Sequence, residues 1–569
     1  MMLRNLLSGF VLMSCLLLTG CGGDQDQASD DSGATARAMS GGDNPFLGFV
    51  DANSAYVYAN LDTMPDAIVD AAWALNDASA ESNQQLLEGL ENDEEVPEEF
   101  RALMDEVSSL LTREGWENAG LSVNPKYAFH AVSVYPFAHM ELTNGEAFSQ
   151  LIERIQTSLE QPLEQRDVDG QPVYWFEAAP GFGIALHHSD TVASAAMIPD
   201  QAEYFARLTG QARPAEAMTE SQLEAFNSAL EFTPHGSGFV DMRRVMDELR
   251  SPDSILMAMD DSGAFQTFVE NPACIVEVDA LTNAMPRMVF GYTELDDDTL
   301  NFLFRQEMSS ELANALMPIS RAPVTIDQEL SGMFNFGMAF DLIRAREFAQ
   351  NLVNGWVENP PACPMFESIA MGAEGMQANL NRPIPPMVTN LQGLFIEAMD
   401  FNLAEQMQPE FEGTMSFFMN NPQLLVGMAQ MFSPVVAEIQ MEPGGELQPV
   451  PMEALPPQFQ NLDLEAWMGM GENSIGLAVG EAQRPALEQR LEASDADPFL
   501  MAGRMDFAIL GKFMDIATQS IGQDETELQD MLEVQRQQYD AIADFYDEGS
   551  FTIGFTEQGI DFFFGTELN

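Results

Sequence analysis

Five short segments recur in the same order along this 569-residue chain, each roughly 270 residues after its first appearance. FGYTEL at Phe290–Leu295 returns as IGFTEQ at Ile553–Gln558, and YVYANLDTM at Tyr56–Met64 returns as FGMAFDLI at Phe336–Ile343. MELTNGEAFSQLI at Met140–Ile152 matches FFMNNPQLLVGM at Phe417–Met428. TVASAAMIPDQAEYFARL at Thr191–Leu208 matches SIGLAVGEAQRPALEQRL at Ser474–Leu491, and GFVDMRRVM at Gly238–Met246 matches GRMDFAILG at Gly503–Gly511. Collinear repeats constrain a fold more tightly than composition does, because each copy has to close on a unit of the same kind. The spacing predicts a tandem duplication with halves at 45–325 and 326–569.

Inside each half the recurring element is a short apolar strand, an aspartate, then an amphipathic helix. Asp62, Asp241, Asp341 and Asp506 stand at that junction. A carboxylate there accepts the free N–H groups of the first helical turn and complements the helix dipole, so capping accounts for all four. Periodicity predicts helices over Ala67–Asn76, Glu146–Leu159, Gln201–Leu208, Pro422–Met431, Ala486–Leu491 and Glu525–Tyr546. Turn residues between alternating apolar runs predict hairpins, one of them turning at Asp296-Asp297-Asp298. The expected fold class is α+β: two tandemly duplicated halves, each an antiparallel sheet with helices packed on one face.

Hydrophobic residues make up 46% of the chain, with 39 Phe, which is ample for packed cores and excludes a disordered body. The 37 methionines suit either irregular core filling or an adaptable apolar groove. Against 90 acidic residues stand 23 basic ones, a net charge of −67. Binding to phosphate backbones and anionic lipid surfaces is driven by Lys and Arg, so a nucleic-acid role is excluded. Such charge suits a salty exterior, where a shorter Debye length relieves self-repulsion. It also offers an acidic surface to a basic partner, or a loose, nonspecific one to divalent cations.

The first twenty residues have the parts of a secretory signal: Arg4, an apolar run from Leu6 to Leu18, then Thr19-Gly20. Thirteen residues rise only about 20 Å as a helix, short of a bilayer core of roughly 30 Å. Leu18-Thr19-Gly20-Cys21 resembles the lipobox of bacterial lipoproteins. The resemblance implies removal of residues 1–20, Cys15 included, with acylation of Cys21 at its sulfur and new amino group. Gly22 follows, where an aspartate would imply retention in the inner membrane, so the implied address is the bacterial outer membrane, facing the periplasm. The competing reading is an ordinary cleavage site beside an incidental cysteine. Residues 21–44 read as a flexible tether with a root-mean-square reach of roughly 25–30 Å.

Three further segments, ELTNGEAFSQLIERI, SAAMIPDQAEYFARL and GSGFVDMRRVMDEL, resemble a broad family of uncharacterised bacterial envelope proteins. That resemblance implies the architecture and no catalytic residue, cofactor or substrate. Two cysteines remain after Cys21, Cys274 and Cys363, which an oxidising exported compartment would join across the junction of the halves; buried free thiols are the alternative. The five histidines (His130, His139, His187, His188, His235) lack metal-ligand spacing, and His187-His188 reads as a strand end with opposed side chains. No nucleophile elbow, P-loop or dinucleotide fingerprint occurs; in HGSGF, His235 stands where an elbow needs glycine. The expectation is a lipid-anchored envelope protein that binds, without catalytic residue, metal or cofactor. Its partner would be an envelope protein or, in a carrier role, an apolar ligand, and an envelope hydrolase is the enzymatic alternative.

Overall fold

The computed structural model describes residues 44–78, 110–158, 163–251, 264–320, 332–403, 409–432, 439–451, 453, 465–492, 499–520 and 526–569. The signal, Cys21 and all of the tether but Asn44 lie outside these residues. The chain is α+β and forms two compact units. The first takes the described residues up to Val269, with Arg287–Leu303 and Leu568–Asn569; the second takes Glu270–Pro286 and Phe304–Glu567.

In the first unit the strands are β1 (Tyr56–Ala59), β2 (Tyr127–Val132), β3 (Tyr135–Glu141), β4 (Glu164–Val168) and β5 (Gln171–Ala179). They continue with β6 (Phe182–His188), β7 (Val192–Pro199), β8 (Ser237–Asp241) and β9 (Arg287–Leu295). Antiparallel pairing gives the spatial order β9-β8-β1-β2-β3-β7-β6-β5-β4. A hairpin joins β9 to β10 (Thr299–Glu307), and Asp296 closes its turn by accepting from the N–H groups of Asp298 and Thr299. The helices that matter below are α1 (Asp66–Ala78), α2 (Arg113–Asn118), α3 (Gly145–Ser158), α4 (Ala202–Leu208), α5 (Glu220–Leu230) and α6 (Met242–Leu249). A capping box between Thr219 and Gln222 starts α5, as the spacing T-E-S-Q allows.

The helices cover both faces of this sheet, not one. Strand side chains alternate, so Phe137 and Met140, three apart on β3, point to opposite sides. Met140 packs with Trp73 of α1, Trp116 of α2 and Leu151 of α3. Phe137 packs with Trp175, Ile198 and the α4 residues Tyr204, Phe205 and Leu208. The sequence reason lies in β7, VASAAMIP, which is apolar at successive positions and buries Ala193 on one side and Ala196 on the other.

The second unit contains β11 (Phe334–Ala339), β12 (Leu391–Leu403), β13 (Pro409–Met419), β14 (Gln448–Pro449), β15 (Ala466–Met470), β16 (Ser474–Val479), β17 (Met501–Asp506), β18 (Tyr546–Phe555) and β19 (Gly559–Leu568). Its antiparallel order is β18-β17-β11-β12-β13-β16-β15-β14, with a tight turn between Thr556 and Gly559 leading into β19. Strand for strand this is the order of the first unit: β17, β11, β12, β13 and β16 take the places of β8, β1, β2, β3 and β7. Its helices include α7 (Pro272–Ala284), α8 (Leu342–Glu358), α9 (Glu367–Leu380), α10 (Pro422–Phe432), α11 (Arg484–Glu492), α12 (Ala508–Ser520) and α13 (Thr526–Phe545). Again both faces are covered, with Val426 of α10 packed near Ile475 and Leu487 of α11 on Ala478, three residues along β16.

Candidate functional site

The four junction aspartates divide three to one. Asp241 accepts from Arg244 N at 3.0 Å, Asp341 from Ile343 N and Arg344 N at 3.0 and 3.1 Å, and Asp506 from Ala508 N at 2.8 Å. Asp62 does not cap: Thr63, Met64 and Pro65 intervene, α1 opens at Asp66, and the Pro65 carbonyl starts the helix by accepting Val69 N.

Cys274 and Cys363 form a disulfide with sulfurs 2.01 Å apart. Both lie in the second unit, because α7, which carries Cys274, packs with that unit and not with the chain before it. The bridge is therefore internal to the second unit, while linking sequence from either side of residue 325. The Glu277 carboxylate reinforces it by accepting from the backbone N–H groups of Ala362 and Cys363.

All five histidines fall in the first unit, and three of them are buried. His130 on β2 and His139 on β3 are each 1% exposed, and their rings stack at 5.4 Å. Phe49, from the 3-10 turn Pro45–Phe49, stacks on His139 at 4.0 Å, and the Arg213 guanidinium lies 3.5 Å from the Phe49 ring centre. Phe137 continues the series at 5.8 Å from His130. His139 Nδ1 meets Ser194 Oγ at 2.8 Å, and Ser194 faces His187 across the ladder.

Electrostatics keep these rings neutral. Burial pushes His130 down to about 4, opposed in part by the hydrogen bond to the Ala131 carbonyl and helped by Arg207. Burial also holds His139 well below the usual imidazole range, helped by His130, Arg213 and His187. His187 is lowered by burial in the same way. The Ser194–His139 contact resembles part of a hydrolase pair, yet both residues are buried and the His139 ring is stacked between Phe49 and His130. A nucleophile needs a substrate beside it, and this one has aromatic rings. His188 points to the opposite side of β6 from His187, stacked with Tyr174 at 6.2 Å. Ser237 of HGSGF is buried and donates to Asn227 Oδ1 at 2.5 Å. Among the described residues no group of three or more His, Cys, Asp or Glu is placed to hold a metal ion.

The second unit buries charge where the first buries imidazole. Glu397 on β12, 1% exposed, lies 3.4 Å from Arg490 of α11 and accepts from Thr414 Oγ1 at 3.1 Å. The Arg490 guanidinium also lies 3.9 Å from the centre of the Phe395 ring. Sequence reasoning missed this pair because the partners are 93 residues apart and carry no motif. The one legible signal was a lone glutamate inside the apolar run LFIEAM.

The surfaces differ as well. Thirteen large apolar side chains are exposed among the described residues, and every one belongs to the second unit. Met371 on α9 is 73% exposed, Met431 on α10 75%, and Val276 on α7 68%.

No protein-family model matches the chain, and no curated protein matches it. One solved structure, titled "Structure of crystal form III of TP0453", aligns with 48% of this chain and 88% of its own at 10% identity and a TM-score of 0.23. A likeness that slight bears on neither fold nor role. Among the described residues no helix is long and apolar enough to cross a membrane.

Proposed function

We propose that this chain is a lipid-anchored protein of the bacterial outer membrane, facing the periplasm, that works by binding through the apolar surface of its second unit. The observation that carries the reading is the partition of exposed apolar side chains, thirteen in the second unit and none among the described residues of the first. Large contiguous apolar patches mark interaction sites on soluble proteins, and this reading takes these side chains to form one. Methionine suits such a surface, since its unbranched, polarizable side chain adapts to partners of several shapes. The lipobox-like Cys21 supplies the anchor in this reading, and a tandem duplication supplies the matching strand orders. In a carrier role the same surface would take apolar ligands.

Site-specific photo-crosslinking in intact cells tests the proposal. A crosslinker at Met371 or Met431 should capture a protein or lipid, and one at Glu203 on α4 should not. Equal yields from the two units would sink the binding surface. A mature N-terminus without acyl groups would sink the anchor, and the two results are read separately by mass spectrometry.

A further inference from the structure

Helix α9, ESIAMGAEGMQANL, turns one side inward and leaves the other in solvent. Ala373 is 1% exposed, and on that inner side Gln377 Nε2 donates to Asn354 Oδ1 of α8 at 2.8 Å. Arg346 Nε of α8 donates to the Leu380 carbonyl at 2.6 Å, which ties the last turn to the same neighbour. At 3.6 residues per turn the opposite side carries Ser368, Met371, Gly375 and Ala378, and all four are exposed. Their spacing is the a-d-a-d order of a heptad seam. Glu367 and Glu374 then fall at successive g positions, also exposed, and α9 contains no lysine or arginine. At the centre of the seam Met371 is 73% exposed. Nothing lies within 4 Å of the point where a Cβ on Gly375 would sit, so a large side chain has room beside Met371.

We propose that the outward side of α9 docks an amphipathic helix of a basic partner protein, an inference that rests on the second-unit binding surface proposed above. Large apolar side chains of that helix seat over Gly375 and Ala378 against the adaptable thioether of Met371. Its lysines or arginines flank the seam and meet Glu367 and Glu374, which stand one heptad apart, about 10 Å along the axis. Flanking charge of this kind sets partner choice between helices, and here it disfavours two other occupants. An anionic lipid surface is repelled by the glutamates. A second copy of this chain would bring the same glutamates on a molecule of net charge −67.

Fluorescence anisotropy of labelled peptides against the full chain tests this, at about 0.15 M salt so that long-range attraction is screened. Three peptides of about three heptads are compared: leucine at a and d with lysine at e and g, the same with glutamate at e and g, and a scramble of the first without a seam. The expected result is saturable one-to-one binding of the first, at least tenfold tighter than either of the others. Glu367→Lys with Glu374→Lys should weaken it at least tenfold, and Gly375→Gln, which closes the space beside Met371, at least fivefold. Glu153→Lys with Glu203→Lys, an equal charge change on α3 and α4 of the first unit, should leave it unchanged. The three peptides against the unaltered chain decide the matter even where a variant fails to fold. Absence of saturable binding, a scramble that binds as tightly as the seamed peptide, or an equal loss in the first-unit variant would each overturn the proposal. Capture of lipid alone by the crosslinker at Met371 would overturn the docked helix and leave the surface reading standing, whereas no capture and no peptide binding would overturn both.

Discussion

The two units share a strand order and solve the same interior problem differently. In its core the first unit stores polarity as neutral imidazoles stacked between Phe49 and Phe137. The second stores it as a carboxylate and a guanidinium, Glu397 and Arg490, with Thr414 and the Phe395 ring around them. Both obey the rule that a buried ionisable group is either neutral or paired. Outside, the first unit exposes no large apolar group among the described residues, and the second exposes thirteen. Backbone pairing thus sets the topology, while the chemistry of each face is free to diverge.

The sharpest way to break this comparison is to unpair the second unit's ions. Arg490→Met leaves Glu397 buried with only a hydroxyl partner and should cost about 3–5 kcal/mol in denaturant unfolding. Adding Glu397→Leu should recover most of that loss; a single variant costing under about 1 kcal/mol would mean the pair is not charged. Next in size is the disulfide, whose cysteines are 89 residues apart. Cys274→Ser with Cys363→Ser should cost about 2–4 kcal/mol. Hydrogen exchange should rise in α7 and α9 of the second unit and stay unchanged in α3 of the first.

Acid should discriminate the units in the opposite sense. Unfolding lets His130 take up a proton that the folded core refuses, its pKa lying near 6.5 unfolded and about 4 folded. Its contribution to stability is complete above pH 6.5 and falls away as the pH drops toward 4. Between pH 6.5 and 5, exchange protection should weaken in β2 and β3 and hold in β12 and β13. His130→Phe should flatten that slope, and equal loss in both units would refute the assignment. The smallest effect contrasts the caps: Asp341→Ala should destabilise by about 1 kcal/mol and Asp62→Ala by less than about 0.5. Thermal unfolding of the two variants side by side resolves the difference.

Much of this fold could be read from the residues. Amphipathic periodicity located α1, α3, α4, α10, α11 and α13 to within about two residues, the usual uncertainty of helix ends. The aspartate turn between β9 and β10 followed from its composition. What escaped was structure without period. α9, ESIAMGAEGMQANL, has no clean apolar stripe, because Met371 faces solvent and two glycines interrupt it. Cover on both sheet faces was written in the run VASAAMIP, apolar at every position but Ser194, which alternation-based reading treats as a one-sided strand. The His139–Ser194 and Glu397–Arg490 contacts join residues 55 and 93 positions apart, and only strand register in the first case and helix-on-sheet packing in the second bring them together.

The placement of α7 has a consequence for how the molecule is made. This helix leaves the ribosome with first-unit sequence on either side of it, yet its disulfide partner is 89 residues further on. At about 5–20 residues per second, roughly 4–18 s of synthesis separate Cys274 from its partner. The native packing of α7 therefore waits for sequence synthesised after β9.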